Sequence, residues 1–174
     1  MNPQKQDMMK QMMNAATPGL PHKIFESFVG NWNYTSKWWD SADGKPQMSS
    51  GESQIKMILG GRFIQHNTHG KSMGMPFNGM GLTGYNNLTA KYETLWLDTM
   101  STGMMRGEGT FDESTQTLTD SGEFSCPLSV NHKATYRAEW KKIDSTHMVY
   151  SMYGHGIDGK AAEFKEMELS FTKR

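Results

Sequence analysis

His132-Lys133-Ala134-Thr135-Tyr136-Arg137-Ala138-Glu139-Trp140-Lys141 decides the fold class. Ala134, Tyr136, Ala138 and Trp140 fall on one side of a period-2 pattern, and Lys133, Thr135, Arg137, Glu139 and Lys141 on the other. Successive side chains of a strand point to opposite faces, so this segment is a β-strand with one apolar and one wet face. Ile55, Met57 and Leu59 alternate in the same way, as do Met167, Leu169 and Phe171.

Working outward from this strand, short apolar and aromatic runs recur between turn residues such as Asp43-Gly44, Gly60-Gly61, Asn86-Asn87, Asp112-Glu113-Ser114 and Asp158-Gly159. The pattern predicts ten strands, at residues 31–40, 51–59, 62–69, 79–85, 91–98, 103–111, 117–125, 131–143, 146–155 and 162–172. Residues 70–78, which contain Pro76, read as a loop. No helical period separates the strands, so neighbours pair antiparallel, and closing the sheet removes its exposed edges. The expected fold is all-β: a single antiparallel up-and-down barrel with an internal cavity, occupying residues 20–174. Residues 1–19 form a separate helical segment. There Met8, Met9, Met12 and Met13 share one helix side, and Thr17-Pro18-Gly19 stops the helix. That methionine face is expected to cap the barrel mouth or to dock onto a second copy of the chain, giving a homodimer.

Lys and Arg number 18, as do Asp and Glu, so no net field draws the chain of 174 residues onto nucleic acid or an anionic membrane. The longest basic cluster is Lys141-Lys142, too short for a nucleic-acid groove. The single cysteine, Cys126, excludes an internal disulfide and any multi-thiolate metal site. No apolar run has the length of a membrane-spanning helix and the N-terminus carries no apolar leader core, which makes the cytoplasm the expected compartment.

The expected interior is polar in places. Phe63, Gln65, Asn67 and His69 share one face of their strand, and Ile64, His66 and Thr68 the other; Tyr92, Thr94, Trp96 and Asp98 share a face of theirs. Polar groups are costly to bury without partners, so whichever face points inward implies a hydrated or ligand-filled space. A small apolar or amphipathic molecule is the expected partner, held by Tyr34, Trp38, Gln65, Asn67, Trp96, Tyr136, Trp140, Tyr153 and His155. Neither nucleic acid nor membrane is expected as a partner.

Gly30-Asn31-Trp32 at the head of the first strand resembles the Gly-x-Trp signature of calycins, the barrels that include lipocalins and fatty-acid-binding proteins. A longer stretch is similar to the bacterial family known as domain of unknown function 1579. It runs from Gly84-Tyr85-Asn86 through Trp96-Leu97-Asp98-Thr99-Met100-Ser101 to Gly103-Met104-Met105 and Gly107-Glu108-Gly109. The resemblance implies a calycin-like barrel and leaves activity open. It also implies that Gly30 and Trp32 plug one barrel end, with a basic residue of the last strand on the Trp32 ring, for which Lys173 and Arg174 are the candidates. Some calycin-like barrels, of the nitrobindin type, hold haem through one histidine. By that resemblance His155 would be the ligand of a haem enzyme.

Other constellations carry less chemistry. His66 and His69 fall on opposite strand faces, and His147 and His155 stand about 26 Å apart along an extended strand, so neither pair chelates one ion. Met73-Gly74-Met75 has the Met-x-Met spacing of copper(I) sites, without a nearby His or Cys to complete one, and methionine also fills irregular space. Cys126 has His132 six residues on but no spacing that makes a nucleophile and base, and Asp98, Glu166 and Glu168 are not paired by sequence. The reading is a binding barrel without catalysis and without a cofactor or metal. A haem barrel and a dimerising module built on the methionine helix are the alternatives.

Overall fold

The computed structural model describes residues 2–156 and 158–174. Ten strands follow in order: β1 (Gly30–Trp38), β2 (Gln47–Ile58), β3 (Phe63–Ser72), β4 (Met75–Asn86), β5 (Lys91–Asp98), β6 (Met105–Asp112), β7 (Thr117–Ser125), β8 (Lys133–Lys142), β9 (His147–Gly154) and β10 (Phe164–Lys173). Each pairs antiparallel with its sequence neighbour, and β10 returns to pair with β1, with Trp32 opposite Lys173 and Trp38 opposite Met167. The sheet therefore closes into an up-and-down barrel without a free edge.

Three of the tight connections at one end use the same local device. The side-chain oxygen of Asn86, Asp112 or Asp144 accepts from backbone N–H groups two and three residues on, Leu88 (2.9 Å) and Thr89, Ser114 (2.8 Å) and Thr115, or Thr146 (2.7 Å) and His147. Short polar side chains that bond their own backbone are what turn these hairpins. One connection departs from the sequence reading. Residues 70–78 are not a loop: β3 and β4 run on and turn through Met73 and Gly74 alone, both in the left-handed region (φ 50° and 77°). A two-residue turn of that kind matches the twist of the flanking strands, so pairing continues to Ser72–Met75, and Pro76 is carried within β4 opposite Lys71.

The end where β1 begins is stoppered. A 3-10 helix, Leu20–Ser27, crosses it and buries His22 and Phe25. Phe25 meets Tyr92 edge-on at 6.1 Å, and the Tyr92 hydroxyl donates to the Pro21 carbonyl at 2.8 Å. Beneath it the Trp32 indole N–H donates to the Phe28 carbonyl at 3.1 Å, and the Lys173 ammonium stands 5.4 Å from the Trp32 ring. Trp32, Ile55, Ile64, Leu118, Met148 and Phe171 fill this half of the barrel with buried apolar volume.

The N-terminal helix α1 (Pro3–Ala16) buries no residue, and Met8, Met9, Met12 and Met13 are all exposed. The expectation that its methionine face caps the mouth is corrected here. The Asn87 amide donates to the carbonyls of Ala15 and Thr17 (3.0 and 2.9 Å), and the Arg62 guanidinium donates to that of Ala16 (2.9 Å). Both anchors belong to the stoppered end, so α1 is tethered there, away from the mouth. Among the described residues no helix is long and apolar enough to cross a membrane.

Phe25→Ala should therefore cost about 3–5 kcal/mol in urea unfolding, the range for truncating a buried Phe. Deleting residues 2–16 should shift the same transition by less than about 1 kcal/mol, because an exposed helix contributes little burial.

Candidate functional site

Alternation along β3 turns Ile64, His66 and Thr68 into the barrel. His66 occupies its centre, with ring centroids 5.3 Å from Trp140, 5.6 Å from Trp96 and 6.1 Å from Phe171, residues of three other strands. Its Nε2 meets Thr68 Oγ1 at 2.9 Å and also the Ser53 hydroxyl. Full burial pulls this imidazole down from 6.5 to about 4, so at neutral pH it is uncharged and hydrogen-bonded. His66 is thus a satisfied core group.

The half of the barrel away from the stopper is built differently. Trp38, Met105, Phe124, Tyr150 and Met167 pack against Tyr136, Ala138 and Met152, yet each of those five remains only partly buried. Tyr150 lies 4.7 Å from Trp140, and burial pushes its hydroxyl well above the ordinary phenol value, with the Asp120 charge adding to it. Trp38, Met105, Phe124 and Met167 stand at or near the strand ends opposite the stopper, and the surface they keep lies around that end of the barrel.

Asp120 of β7 lies on the inner face of the barrel wall, 4% exposed. Thr94 Oγ1 (2.9 Å) and the Tyr136 hydroxyl (3.1 Å) both donate to the same oxygen, Oδ2. Gly107 makes room for the trio, since a Cβ there would come within 2.7 Å of Asp120 Oδ2 and strike the Tyr136 hydroxyl. Burial raises the Asp120 carboxyl, and its two hydroxyl donors pull it back only in part. Asp120 Oδ1 and the hydroxyls of Tyr34 and Tyr150 take no hydrogen bond from any described residue. No polar side-chain atom of the described residues is both sealed from solvent and unpartnered, so these three oxygens border space that a water can enter. Tyr34, itself 5% exposed, reaches this position by lying across Gly51 and Gly70, where any Cβ would strike its hydroxyl.

The interior thus brings together Tyr34, Trp96, Tyr136 and Trp140, with Trp38 at the rim, where its indole N–H bonds Asp40 at 2.9 Å. Trp96 lies flat over Gly79 and Gly81, which have no side chain to displace it, and donates to Asp98 at 2.7 Å. Three residues expected inside lie on the outer face, and this corrects the expectation. Gln65 and Asn67 have the opposite parity to His66, and the Gln65 amide meets Met80 Sδ at 3.2 Å. Tyr153 alternates with the inward Met152 and lies under Arg137 at 4.0 Å, which itself pairs with Glu139 and Glu163. His155 follows β9 at the mouth, with Nδ1 3.0 Å from the Ala161 carbonyl. Gly30 and Trp32 stand at the stoppered end. Glu166, at a bulge in β10, accepts from the Gly156 N–H at 2.8 Å, and its burial raises it. Among the described residues no three His, Cys, Asp or Glu come together to hold a metal ion.

Asp120 and Ser53 were missed by sequence reasoning. The signal for Asp120 was present: β7 alternates Leu118, Asp120 and Phe124 on one face, placing a carboxylate in an apolar parity. Two shallow depressions lie outside the barrel. One of about 440 Å³ covers β1, β2 and β10 near Asn33, Ser50 and Thr172, and another of about 400 Å³ runs along α1.

Residues 17–173 match the model of a family described as Protein of unknown function (DUF1579). No curated protein matches the chain. The crystal structure of Rv2717c from M. tuberculosis is similar with a TM-score of 0.65, over 91% of this chain and 99% of that one, at 10% identity. At that identity the likeness establishes the shared fold.

His66 predicts a defined acid limb of stability. The unfolded imidazole binds its proton near 6.5 and the folded one near 4, so stability is fully present above 6.5 and falls as pH is lowered between the two. The loss should reach about 3 kcal/mol below pH 4, from 1.36 kcal/mol per pH unit. Urea midpoints from pH 7.5 to 4 should show it in the wild type, and His66→Gln should flatten this limb.

Proposed function

Because the chain belongs to the DUF1579 family, whose description assigns no activity, its function has to be read from the barrel, and we propose that it binds a small, partly apolar molecule in the mouth half. One observation carries the reading. Inward rings and thioethers there keep accessible surface, and Asp120 Oδ1 and the hydroxyls of Tyr34 and Tyr150 take no hydrogen bond from any described residue. Such groups in a filled core would cost several kcal/mol, so they are tolerated where water or a ligand completes them.

The two halves divide the work. Phe25, Trp32, Ile55 and Phe171 supply the burial that holds the barrel shut. Met105, Met152 and Met167 line the other half with flexible side chains that can move aside and repack against a guest. The aromatic walls, Trp96, Tyr136, Trp140 and Tyr150, offer large contact area, and the unpartnered oxygens fix orientation. A haem on His155 is the weaker reading. The Ala161 carbonyl engages Nδ1 and leaves Nε2 as the nitrogen able to ligate, but neither described depression touches this residue.

Purified chain screened against small aromatic and aliphatic amphiphiles should gain about 2.7 kcal/mol of stability at a hundredfold excess over Kd, read as a thermal shift of a few degrees. Met105→Trp, which fills the mouth, should weaken binding at least tenfold, and Ser170→Lys on the outer depression should leave it unchanged. A response abolished by Ser170→Lys and untouched by Met105→Trp would place the ligand outside and refute the reading.

A further inference from the structure

Asp120 is a buried carboxylate without a counter-ion. Among the described residues no Lys, Arg or His pairs with it, every ion pair being formed by other carboxylates. Its two hydrogen bonds come from neutral hydroxyls, Thr94 and Tyr136, and both end on Oδ2. Oδ1 therefore takes no hydrogen bond from any described residue and stays open to water, on a side chain only 4% exposed. A charge taken out of water is normally repaid by an opposite charge and further hydrogen bonds, and here half of that shell is absent.

The surroundings match a particular guest. Burial raises the Tyr136 and Tyr150 phenols and the nearby Asp120 charge raises them further, and the Trp140 ring continues from Tyr150 at 4.7 Å. Rings present electron-rich faces to a cation, and the carboxylate adds a directional acceptor. An anionic guest would meet Asp120 with like charge and no cation to offset it.

We propose that the mouth half of the barrel selects a small protonated amine carrying an aromatic or aliphatic body, with the ammonium donating to Asp120 Oδ1 and the body packed against Tyr136, Tyr150 and Trp140. This rests on the binding reading above and adds the chemical class of the ligand. Asp120 is the specificity-determining residue in it, and Tyr136 and Thr94 are positioning residues, since they hold the carboxylate through Oδ2 and leave Oδ1 turned to the guest.

The test uses three probes of one shape, 2-phenylethylamine, 2-phenylethanol and phenylacetate, titrated calorimetrically into the full chain at pH 7.5. The amine should bind at least tenfold tighter than the alcohol, and phenylacetate weakest. That preference should survive 0.5 M salt, because a buried pair is little screened. Asp120→Asn keeps an acceptor for Thr94 and Tyr136 and removes the charge, so it should fold. It should bring amine and alcohol within about threefold of each other, chiefly by weakening the amine. Alcohol and amine binding equally to the wild type would overturn the amine class and leave the binding barrel standing. An amine preference that persists in Asp120→Asn, or disappears in salt, would assign it to surface charge and overturn the inference. No binding of any probe, with no response from longer-chain amines of the same series, would remove both the inference and the reading beneath it.

Discussion

Closure of β10 onto β1 is the constraint on which the rest of the molecule depends. It places Lys173 across from Trp32 and sets the ammonium over the indole, while the indole N–H ties the first strand to Phe28 and so to the 3-10 stopper. Closure pairs the backbone of both outermost strands, and the same register directs Trp32, Tyr34 and Phe171 into one interior. With that end packed solid, the stability of the fold does not have to come from the other.

The barrel treats buried polarity in two opposite ways. At its centre His66 is kept neutral and bonded to Ser53 and Thr68, and the cost of placing an imidazole among Trp96, Trp140 and Phe171 is met within the protein. Asp120, by contrast, spends both its hydroxyl partners on one oxygen and leaves the second open, and no described residue bonds the hydroxyls of Tyr34 and Tyr150. A core selected for stability alone would satisfy these groups or replace them with apolar ones. The glycines at 51, 70, 79, 81 and 107 fit the same division, because each clears the place that a ring or hydroxyl occupies.

Much of the architecture was legible in the sequence because strands with one wet face carry a period-2 signal, as in the segment from Lys133 to Lys141, and because Asn86, Asp112 and Asp144 mark turns by their own side-chain chemistry. The strand count and the closure followed from those signals, and the family from the resemblance of the stretch between Gly84 and Gly109. Parity was harder where both faces of a strand are polar. In β3 nothing local distinguishes Gln65 and Asn67 from His66 and Thr68, and the choice is made by the rings of β5, β8 and β10 that surround His66. Tyr153 looked like a lining aromatic for the same reason, whereas its partner is Arg137 on the outside. The stopper was invisible because Leu20–Ser27 has neither a strand nor a full helical period, and the Met73-Gly74 turn was hidden by Pro76 beside it.

On the proposed reading, water or a guest completes the open hydrogen-bonding positions of Asp120, Tyr34 and Tyr150. A high-resolution crystal structure of the chain as purified tests it most directly. Ordered water or ligand density is expected within about 3 Å of Asp120 Oδ1 and of the Tyr34 and Tyr150 hydroxyls, the ordinary hydrogen-bond distance. Methionine side chains packed directly against those three oxygens, with no density between, would contradict it.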